Sequence, residues 1–416
     1  MLSRRTLLKS AGAASLLPMA GLRNAVFAAD PGSNAPILIV LHLRGGCDGL
    51  NLVSPASDPD FVEARISELR VAADGPTPGY QLANGPAPTI DFRLHASGGG
   101  LNELYKSGKL AFIHAAGLTN QTRSHFVATD MIERGVASDG DLARTPNGWL
   151  TRALQDKTAP GAIPAVAASG TVSGDLDGEA LAMAIPDLSN GLAPVGGPQV
   201  ATALWQLYAG SGAVAEAGRT AMQTTAGIDM RVPRDDQGKV RPYQPENGAN
   251  YDSAGDFARQ LKTVAQLIKM DIGLSAVTLD YGAWDTHEYQ VGRFKPQVER
   301  LSNGLAAFWN DMAAYHDRIT LVSLTEFGRR LRSNRSNGTD HGRGSLMMVL
   351  GGKVAGGRFH GTWPGLKTEQ LDEGVDLAVA NDYRGVLSEV LDRHHAVKNG
   401  SWFPNYRRNG SLGILV

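Results

Sequence analysis

Acidic and histidine side chains follow three apolar runs in this sequence, each the length of one β-strand. The runs are Ile37–Leu43, Leu274–Leu279 and Ile319–Leu324. An apolar run that stops at carboxylates and imidazoles is typical of a buried strand delivering polar groups to its C-terminal end, where open α/β sheets place their sites. Such side chains, gathered from several strand ends, can bind a divalent metal ion. The predicted metal ligands are Asp48, Asp280, Asp285, His287, Glu326, Asp340 and His341.

The expected cofactor is one or two divalent metal ions. Mixed nitrogen and oxygen ligands suit zinc or manganese, whereas a carboxylate-rich set suits calcium. Structural roles for the same residues remain open. After Gly45-Gly46, Asp48 and Asn51 could simply organise a turn. Asp285 and His287 could belong to a hydrogen-bonded loop, and Asp340 could begin a turn beside a surface histidine.

A second polar group follows the apolar run Leu110–Ala115 and leads into a helical pattern at Phe126–Arg134. At such a junction Ser124 would lie near helix N–H groups that favour an anion, so it is either a nucleophile or an N-cap. A guanidinium matches phosphate or sulfate in shape, although surface or carboxylate-pairing roles are equally open for the arginines. The predicted catalytic residues are Ser124, Arg123, His125 and Arg329.

The elements that must position these residues alternate along the chain. Apolar positions spaced by three and four predict helices at 254–269 and 293–316, and each precedes one of the apolar runs. This alternation predicts an α/β fold with one large, mostly parallel sheet and helices on both faces. We assign residues 29–416 to that domain. Residues of about 170–255 are predicted to form an inserted region or lid over the strand ends.

The N-terminus resembles an export signal. Arg4-Arg5 precedes a short apolar stretch, and Ala28 ends a small-residue pattern suited to cleavage before Ala29. We therefore assign residues 1–28 to a twin-arginine signal peptide, which implies the twin-arginine export machinery as a partner and a periplasmic or secreted bacterial protein. The apolar stretch is far shorter than the ~20 residues of a membrane span, so no integral span is expected in the mature form.

Composition excludes several classes of protein. Forty basic and forty-one acidic residues give a net charge of −1, which supplies no reason to expect nucleic acid as a partner. The single cysteine, Cys47, cannot form an internal disulfide.

Several motifs occur in an order that resembles the domain-of-unknown-function 1501 family. They are the twin-arginine leader, Gly45-Gly46-Cys47-Asp48-Gly49-Leu50-Asn51, Arg123-Ser124-His125-Phe126, Trp284-Asp285-Thr286-His287, Glu326-Phe327-Gly328-Arg329 and Asp340-His341-Gly342. That family in turn resembles the alkaline phosphatase and sulfatase superfamily, whose fold is a large α/β sandwich with metals at the strand ends.

The resemblance implies roles for individual residues. Asp48 matches the first metal-binding aspartate after the opening strand, and Asp280, Asp285 and His287 match a later Asp/His cluster. Either Glu326 or Asp340-His341 matches the Asp-His-Gly element, and both assignments remain open. The surroundings of Ser124 reproduce no phosphatase or sulfatase nucleophile motif.

The function expected from these observations is an exported, metal-dependent hydrolase of phosphate or sulfate esters. Its substrate would be an anionic small-molecule or polysaccharide ester. The alternative is a non-catalytic periplasmic binding or assembly protein that keeps the metal-binding fold.

Overall fold

The structure is a computed structural model that describes residues 35–75, 77–155, 164–192, 196–394 and 400–416. The predicted signal peptide, residues 1–28, lies outside the described residues. The strands are β1 (Ile37–Leu43), β2 (Val53–Pro55), β3 (Tyr80–Gln81), β4 (Phe92–Leu94), β5 (Leu110–Gly117), β6 (Ala165–Ala167), β7 (Met183–Ala184), β8 (Ala276–Tyr281), β9 (Ile319–Leu324), β10 (Ser345–Gly351) and β11 (Asn381–Asp382). The α-helices are α1 (Gly49–Leu52), α2 (Pro59–Ala64), α3 (Gly99–Lys106), α4 (His125–Arg134), α5 (Asp139–Arg144), α6 (Trp149–Gln155), α7 (Gly197–Leu207), α8 (Ala213–Asp229), α9 (Phe257–Lys269), α10 (Gln290–Asp311) and α11 (Tyr383–Leu391).

One large sheet organises the molecule. Eight strands follow the order β11-β5-β10-β9-β1-β8-β6-β7, and β2, β4 and β3 form a small separate sheet. In the large sheet β1 pairs in parallel with both β8 and β9, whereas β10 runs antiparallel to β9 and β5. The predicted α/β fold with a mostly parallel sheet is confirmed.

The direction of the strands brings chain segments that are distant in sequence to one edge. The C-terminal ends of β1, β5, β8 and β9 meet there, and β10, because it runs the other way, contributes its N-terminal end. We call this the site edge.

Helices cover both faces of the sheet. β1 is therefore buried throughout, and its side chains alternate between two cores. Ile39 and Leu41 pack with residues of α3, α9 and α10 on one face. Leu38 and Val40 pack with residues of α4, α6 and α11 on the other. Burial on both faces explains why β1 reads as an unbroken apolar run.

The predicted inserted region at about 170–255 contains α7 and α8 and also supplies β7 to one end of the large sheet. Its action as a lid stays a prediction. Within the described part of the chain, no helix is both long and apolar enough to cross a membrane.

Candidate metal centre

Three segments of the site edge deliver the candidate ligands. The loop between β8 and α10 carries Asp285 and His287, and the connection from β9 to β10 carries His341. His125 is the first residue of α4, which follows β5. These four side chains form one cluster, which we call the candidate metal centre.

The ligand atoms of three of them converge closely. The Nε2 atoms of His287 and His341 are 2.9 Å apart. Oδ1 of Asp285 lies 3.1 Å from Nε2 of His287 and 3.2 Å from Nε2 of His341. Ligand atoms about 2.0 Å from one tetrahedral zinc ion are separated by about 3.3 Å, so this triangle has the size of one face of such a site.

Groups behind the imidazoles fix which nitrogen faces the cluster. Nδ1 of His287 lies 3.0 Å from Oδ1 of Asp340, and Nδ1 of His341 lies 3.0 Å from the carbonyl oxygen of Arg123. Because a carbonyl oxygen only accepts hydrogen bonds, Nδ1 of His341 must carry the proton. A carboxylate likewise only accepts, so Nδ1 of both rings donates outward, and the two Nε2 atoms face each other and Asp285.

His125 is oriented in the same way by Glu326. Its Nδ1 lies 3.4 Å from Oε1 of Glu326, and that contact raises the pKa of the imidazole. Its Nε2 is buried, has no hydrogen-bond partner, and lies 3.6 Å from Oδ2 of Asp285. A buried nitrogen left unpaired beside a carboxylate is a position that a bound group would satisfy.

Glu326 is held by the turn that follows β1. The N–H groups of Gly45 and Gly46 donate to its carboxylate over 2.9 and 3.0 Å. Burial alone would raise the pKa of Glu326, but His125 and these N–H groups stabilise the charged form and hold its pKa at about 2. Both glycines have positive φ, and a Cβ on Gly45 would lie 2.6 Å from the backbone nitrogen of Asp285.

The donor set fits a divalent metal ion. Lone pairs and carboxylate oxygens that face each other repel unless a proton or a cation lies among them, and His125, Asp285 and His341 offer ligand atoms within 4.8 Å of one another. Imidazole-rich sites suit zinc or manganese better than calcium. Metal-ligating histidines characteristically donate their other N–H to a carboxylate or carbonyl, as all three histidines can do here.

The structure gives Glu326 and Asp340 a different place from the one predicted. Their carboxylates lie behind His125 and His287, on the Nδ1 side of each ring, rather than among the converging atoms. The hydrogen bond from Asn334 lowers the pKa of Asp340, so that carboxylate stays charged behind His287. We therefore assign both carboxylates to orientation of the imidazoles.

Arg329 does not face an open site. Its guanidinium is buried and donates to the carbonyl oxygens of Gly45, Gly46, Trp284 and Thr339. It also contacts Oδ1 of Asp285 at 2.5 Å. Burial tends to raise the pKa of Asp285, but this contact outweighs burial and the pKa is lowered. The donors of Arg329 are thus engaged within the protein, and its role in binding a substrate anion stays a prediction.

Two predicted ligands lie outside the candidate metal centre because arginines hold their carboxylates. Asp48 is fully buried and bonds both terminal nitrogens of Arg65, at 2.6 and 3.1 Å. Asp280 accepts from Nε of Arg44 at 2.6 Å. Asp48 also caps α1, so the turn role that its sequence context leaves open is the observed one.

The remaining predicted residues flank the cluster. The Arg123 guanidinium pairs with Asp376 at 2.5 Å and with Glu373 at 3.1 Å, so only its backbone carbonyl contacts the centre. Ser124 is exposed and is the N-cap residue of α4, yet its side chain makes no capping hydrogen bond. Its hydroxyl is therefore not committed to the helix.

Two contributors were missed from the sequence. Asn334 donates to the carbonyl oxygen of His287 at 2.9 Å and to Asp340 at 3.1 Å, which ties the two ligand-bearing loops together. Phe327 packs its ring against His125 and His341, with centroids 4.8 and 4.5 Å apart. The position of Phe327 directly after Glu326 was the only sequence signal for its role, and none singled out Asn334.

Solved structures with a similar fold share little sequence with this chain. The C-terminal periplasmic domain of EcEptC from Escherichia coli, solved in complex with zinc, is 9% identical over 77% of this chain and 74% of that chain, with a TM-score of 0.37. The lipoteichoic acid synthase LtaP from Listeria monocytogenes is 10% identical over 84% of this chain and 71% of that chain, with a TM-score of 0.30. A protein in the alkaline phosphatase superfamily from Vibrio parahaemolyticus is 10% identical over 96% and 77% of the two chains, with a TM-score of 0.34. Because each TM-score is below 0.5, these structures say nothing about activity here.

The family assignment comes from the sequence itself. No curated protein sequence matches the chain. Residues 113–399, more than two thirds of the chain, match the family described as "Protein of unknown function (DUF1501)". This range contains every residue of the candidate metal centre, and the protein belongs to the DUF1501 family.

Proposed function

We propose that the protein is an exported, metal-dependent hydrolase of phosphate or sulfate esters. The observation that carries the proposal is the convergence of Nε2 of His287, Nε2 of His341 and Oδ1 of Asp285 within 3.2 Å of one another. The cluster opens to solvent, with side-chain exposures of 39% for His287 and 47% for Asp285. A substrate could therefore reach the centre without rearrangement of the core.

His287, His341 and Asp285 would hold the metal ion. Asp340 and the Arg123 carbonyl would fix the orientation of the two imidazole rings through their Nδ1 atoms. A divalent ion bound there supplies Lewis acidity toward a phosphoryl or sulfuryl oxygen. His125 would stay outside this set of ligands and act as the acid of the site, because its contact with Glu326 raises the pKa of the imidazole.

Ser124 is placed beside His125 at the start of α4. Its hydroxyl, or a water molecule, would form the new bond to phosphorus or sulfur and release its proton to solvent. The bond from phosphorus or sulfur to the ester oxygen would break, and that oxygen would take a proton from Nε2 of His125. Where Ser124 attacks, water would cleave the resulting serine ester in a second step. The N–H groups of the first turn of α4, which begins at His125, would favour the negative charge of the transferred group.

The test combines elemental analysis of the purified protein with a panel of aryl phosphates, phosphodiesters and sulfates. Asp285→Ala and His287→Ala are expected to remove both bound metal and turnover. The matched control is Glu288→Ala, which changes an exposed carboxylate next to His287 and should leave both unchanged. Full activity in metal-stripped protein would exclude the mechanism.

One observation favours a second candidate, a periplasmic binding or assembly protein without catalysis. Both predicted anion-binding arginines are engaged, Arg329 by backbone carbonyls and Arg123 by Asp376 and Glu373. Stoichiometric metal in a protein that turns over no ester of the panel would favour this candidate.

We also propose that the protein is exported by the twin-arginine pathway. Replacing both Arg4 and Arg5 by lysine is expected to keep the protein in the cytoplasm, as shown by fractionation of bacterial cells. A variant found in the periplasm at the wild-type level would contradict a twin-arginine route.

A further inference from the structure

The side chain of Arg329 joins the three loops that build the candidate metal centre. The residue is 1% exposed, and its backbone pairs with that of His341 in an isolated bridge. Nε donates to the carbonyl oxygen of Gly46 at 2.7 Å, and Nη1 donates to that of Thr339 at 2.9 Å. Nη2 contacts Oδ1 of Asp285 at 2.5 Å. One guanidinium therefore fixes the turn after β1, the loop between β8 and α10, and the connection that carries His341.

The contact with Asp285 is the only ion pair that Arg329 forms in the part of the chain that the structure describes. Its other acceptors are backbone carbonyl oxygens, which carry no charge to balance a guanidinium. Because an unpaired buried charge is costly, the contact with the carboxylate is strongly favoured. Oδ1 of Asp285 is also the atom that lies 3.1 Å from Nε2 of His287 and 3.2 Å from Nε2 of His341. The ion pair therefore holds the ligand oxygen where it completes the triangle with the two imidazoles.

The backbone around Arg329 is closely packed. The N–H of Gly342 donates to the carbonyl oxygen of Gly328 at 2.9 Å, and a Cβ on Gly342 would lie 2.5 Å from the carbonyl carbon of Arg329. On the other side of the ion pair, the N–H of Trp284 donates to the carbonyl oxygen of Arg44 at 3.2 Å, which joins the loop between β8 and α10 to the turn after β1. The guanidinium and the carboxylate are thus carried by backbone segments that are bonded to their neighbours, so the fold itself sets their separation.

We propose that Arg329 is a positioning residue of the candidate metal centre, which holds the Asp285 oxygen that binds the ion and so sets how tightly the ion is bound. This inference rests on the proposed function for the presence of the metal ion. Ligating carboxylates are themselves oriented by hydrogen bonds, and loss of such a partner typically lowers metal affinity about 10- to 100-fold. Lysine cannot replace Arg329, because one ammonium group cannot reach the acceptors in three loops that the planar guanidinium contacts.

The experiment titrates zinc into metal-stripped protein in a calorimeter and compares Arg329→Lys with Arg65→Lys. Arg65 is the matched control, because it is also 1% exposed and donates to one carboxylate, that of Asp48, and to backbone carbonyl oxygens. Both variants keep the positive charge, and both should unfold at a lower urea concentration than the wild-type protein. Only Arg329→Lys is expected to weaken zinc binding, by about 10- to 100-fold. An equal loss of affinity in the two variants, or none in Arg329→Lys, would overturn the inference.

Cobalt in place of zinc separates positioning from a general loss of stability. The visible absorption of bound cobalt depends on the number and arrangement of its ligands, so a displaced Asp285 should change it. At saturating cobalt we expect an altered spectrum for Arg329→Lys and the wild-type spectrum for Arg65→Lys. Identical spectra for all three proteins would contradict a positioning role.

A zinc-bound crystal structure of the wild-type protein tests the inference without any variant, and therefore also if Arg329→Lys does not fold. We expect the contact between Nη2 of Arg329 and Asp285 to remain when the ion is bound. A carboxylate that has turned away from Arg329 to bind the ion would overturn the inference.

Turnover of the ester panel separates this inference from the proposed function. Zinc binding that depends on Arg329, without turnover of any ester, refutes the hydrolase and leaves the positioning role intact. Turnover by a protein whose zinc affinity is unchanged in Arg329→Lys supports the hydrolase and refutes the positioning role. A wild-type protein that binds no divalent ion would refute both.

Discussion

Replacing Asp48 by asparagine tests whether this carboxylate forms a buried ion pair with Arg65 or binds the metal ion. The carboxylate and the guanidinium of Arg65 are both 0% exposed, and Gln290 adds a hydrogen bond of 2.7 Å. Burial raises the pKa of Asp48, but Arg65 outweighs burial and the pKa is lowered, so the pair is ionic. Asparagine keeps the size of the side chain and removes the charge that compensates Arg65.

The expected cost follows from what the variant leaves behind. Arg65 would keep its bonds to the carbonyl oxygens of Leu331, at 2.6 Å, and Arg330, at 3.0 Å, but neither group carries a compensating charge. Removing one partner of a buried pair typically costs about 3–5 kcal/mol. Because folded proteins are stable by about 5–15 kcal/mol, this loss is large enough to measure without ambiguity.

Urea unfolding gives the free-energy change, and elemental analysis gives the bound metal. We expect Asp48→Asn to lose about 3–5 kcal/mol and to retain full metal content. The control is Asp280→Asn, whose carboxylate is 35% exposed beside Arg44 and whose loss should cost about 1 kcal/mol or less. An Asp48→Asn protein of normal stability that has lost its metal would refute the assignment and restore the ligand role implied by the family resemblance.

Three further predictions concern metal binding and stability. Free zinc at about 100 times its Kd should raise the free energy of unfolding by about 2.7 kcal/mol in the wild-type protein and not in Asp285→Ala, as measured by urea unfolding; an equal gain in the variant would contradict the site. Burial lowers the pKa of His114 to about 4, so the unfolded chain takes up a proton that the folded protein resists. Stability should therefore fall by about 3 kcal/mol as the pH drops from 6.5 to 4, and His114→Gln should flatten that slope; an unchanged slope would exclude His114 as its source. A Cβ on Gly338 would overlap the carbonyl oxygen of His287, so Gly338→Ala should weaken zinc binding about 10-fold in calorimetry, whereas Gly210→Ala, where the added atom meets nothing within 4 Å, should not.

The strands and the shared edge could be predicted because both follow from apolar runs. The run Ile319–Leu324 has the same bounds as β9, and the run at Leu274–Leu279 differs from β8 by two residues at each end. Parallel strands bring their C-terminal ends together whatever lies between them in sequence, so residues after several runs were expected to meet. Asp285, His287 and His341 do meet.

The roles within the site could not be predicted, because they depend on which atom faces which. A sequence does not show that Nδ1 of His287 faces Asp340, and without that orientation a ligand and a carboxylate behind it look alike. Nor does it show that the guanidinium of Arg329 is enclosed by carbonyl oxygens. Asp48 has the expected residue type at the expected strand end, yet Arg65, only 17 residues away, occupies its carboxylate.

Because β10 runs antiparallel to β5 and β9, we expect the candidate metal centre to form only after nearly the whole chain has folded. The segment carrying His341 reaches the site edge only when β10 inserts between β5 and β9, and the contacts that hold the centre join residues 218 and 281 positions apart. Closing such long loops is slow, since contacts of high sequence separation form late in many proteins. A nascent chain that stops before residue 341 can present His125 and His287 but not the third imidazole, so metal affinity should rise only when nearly the whole chain has been synthesised and packed.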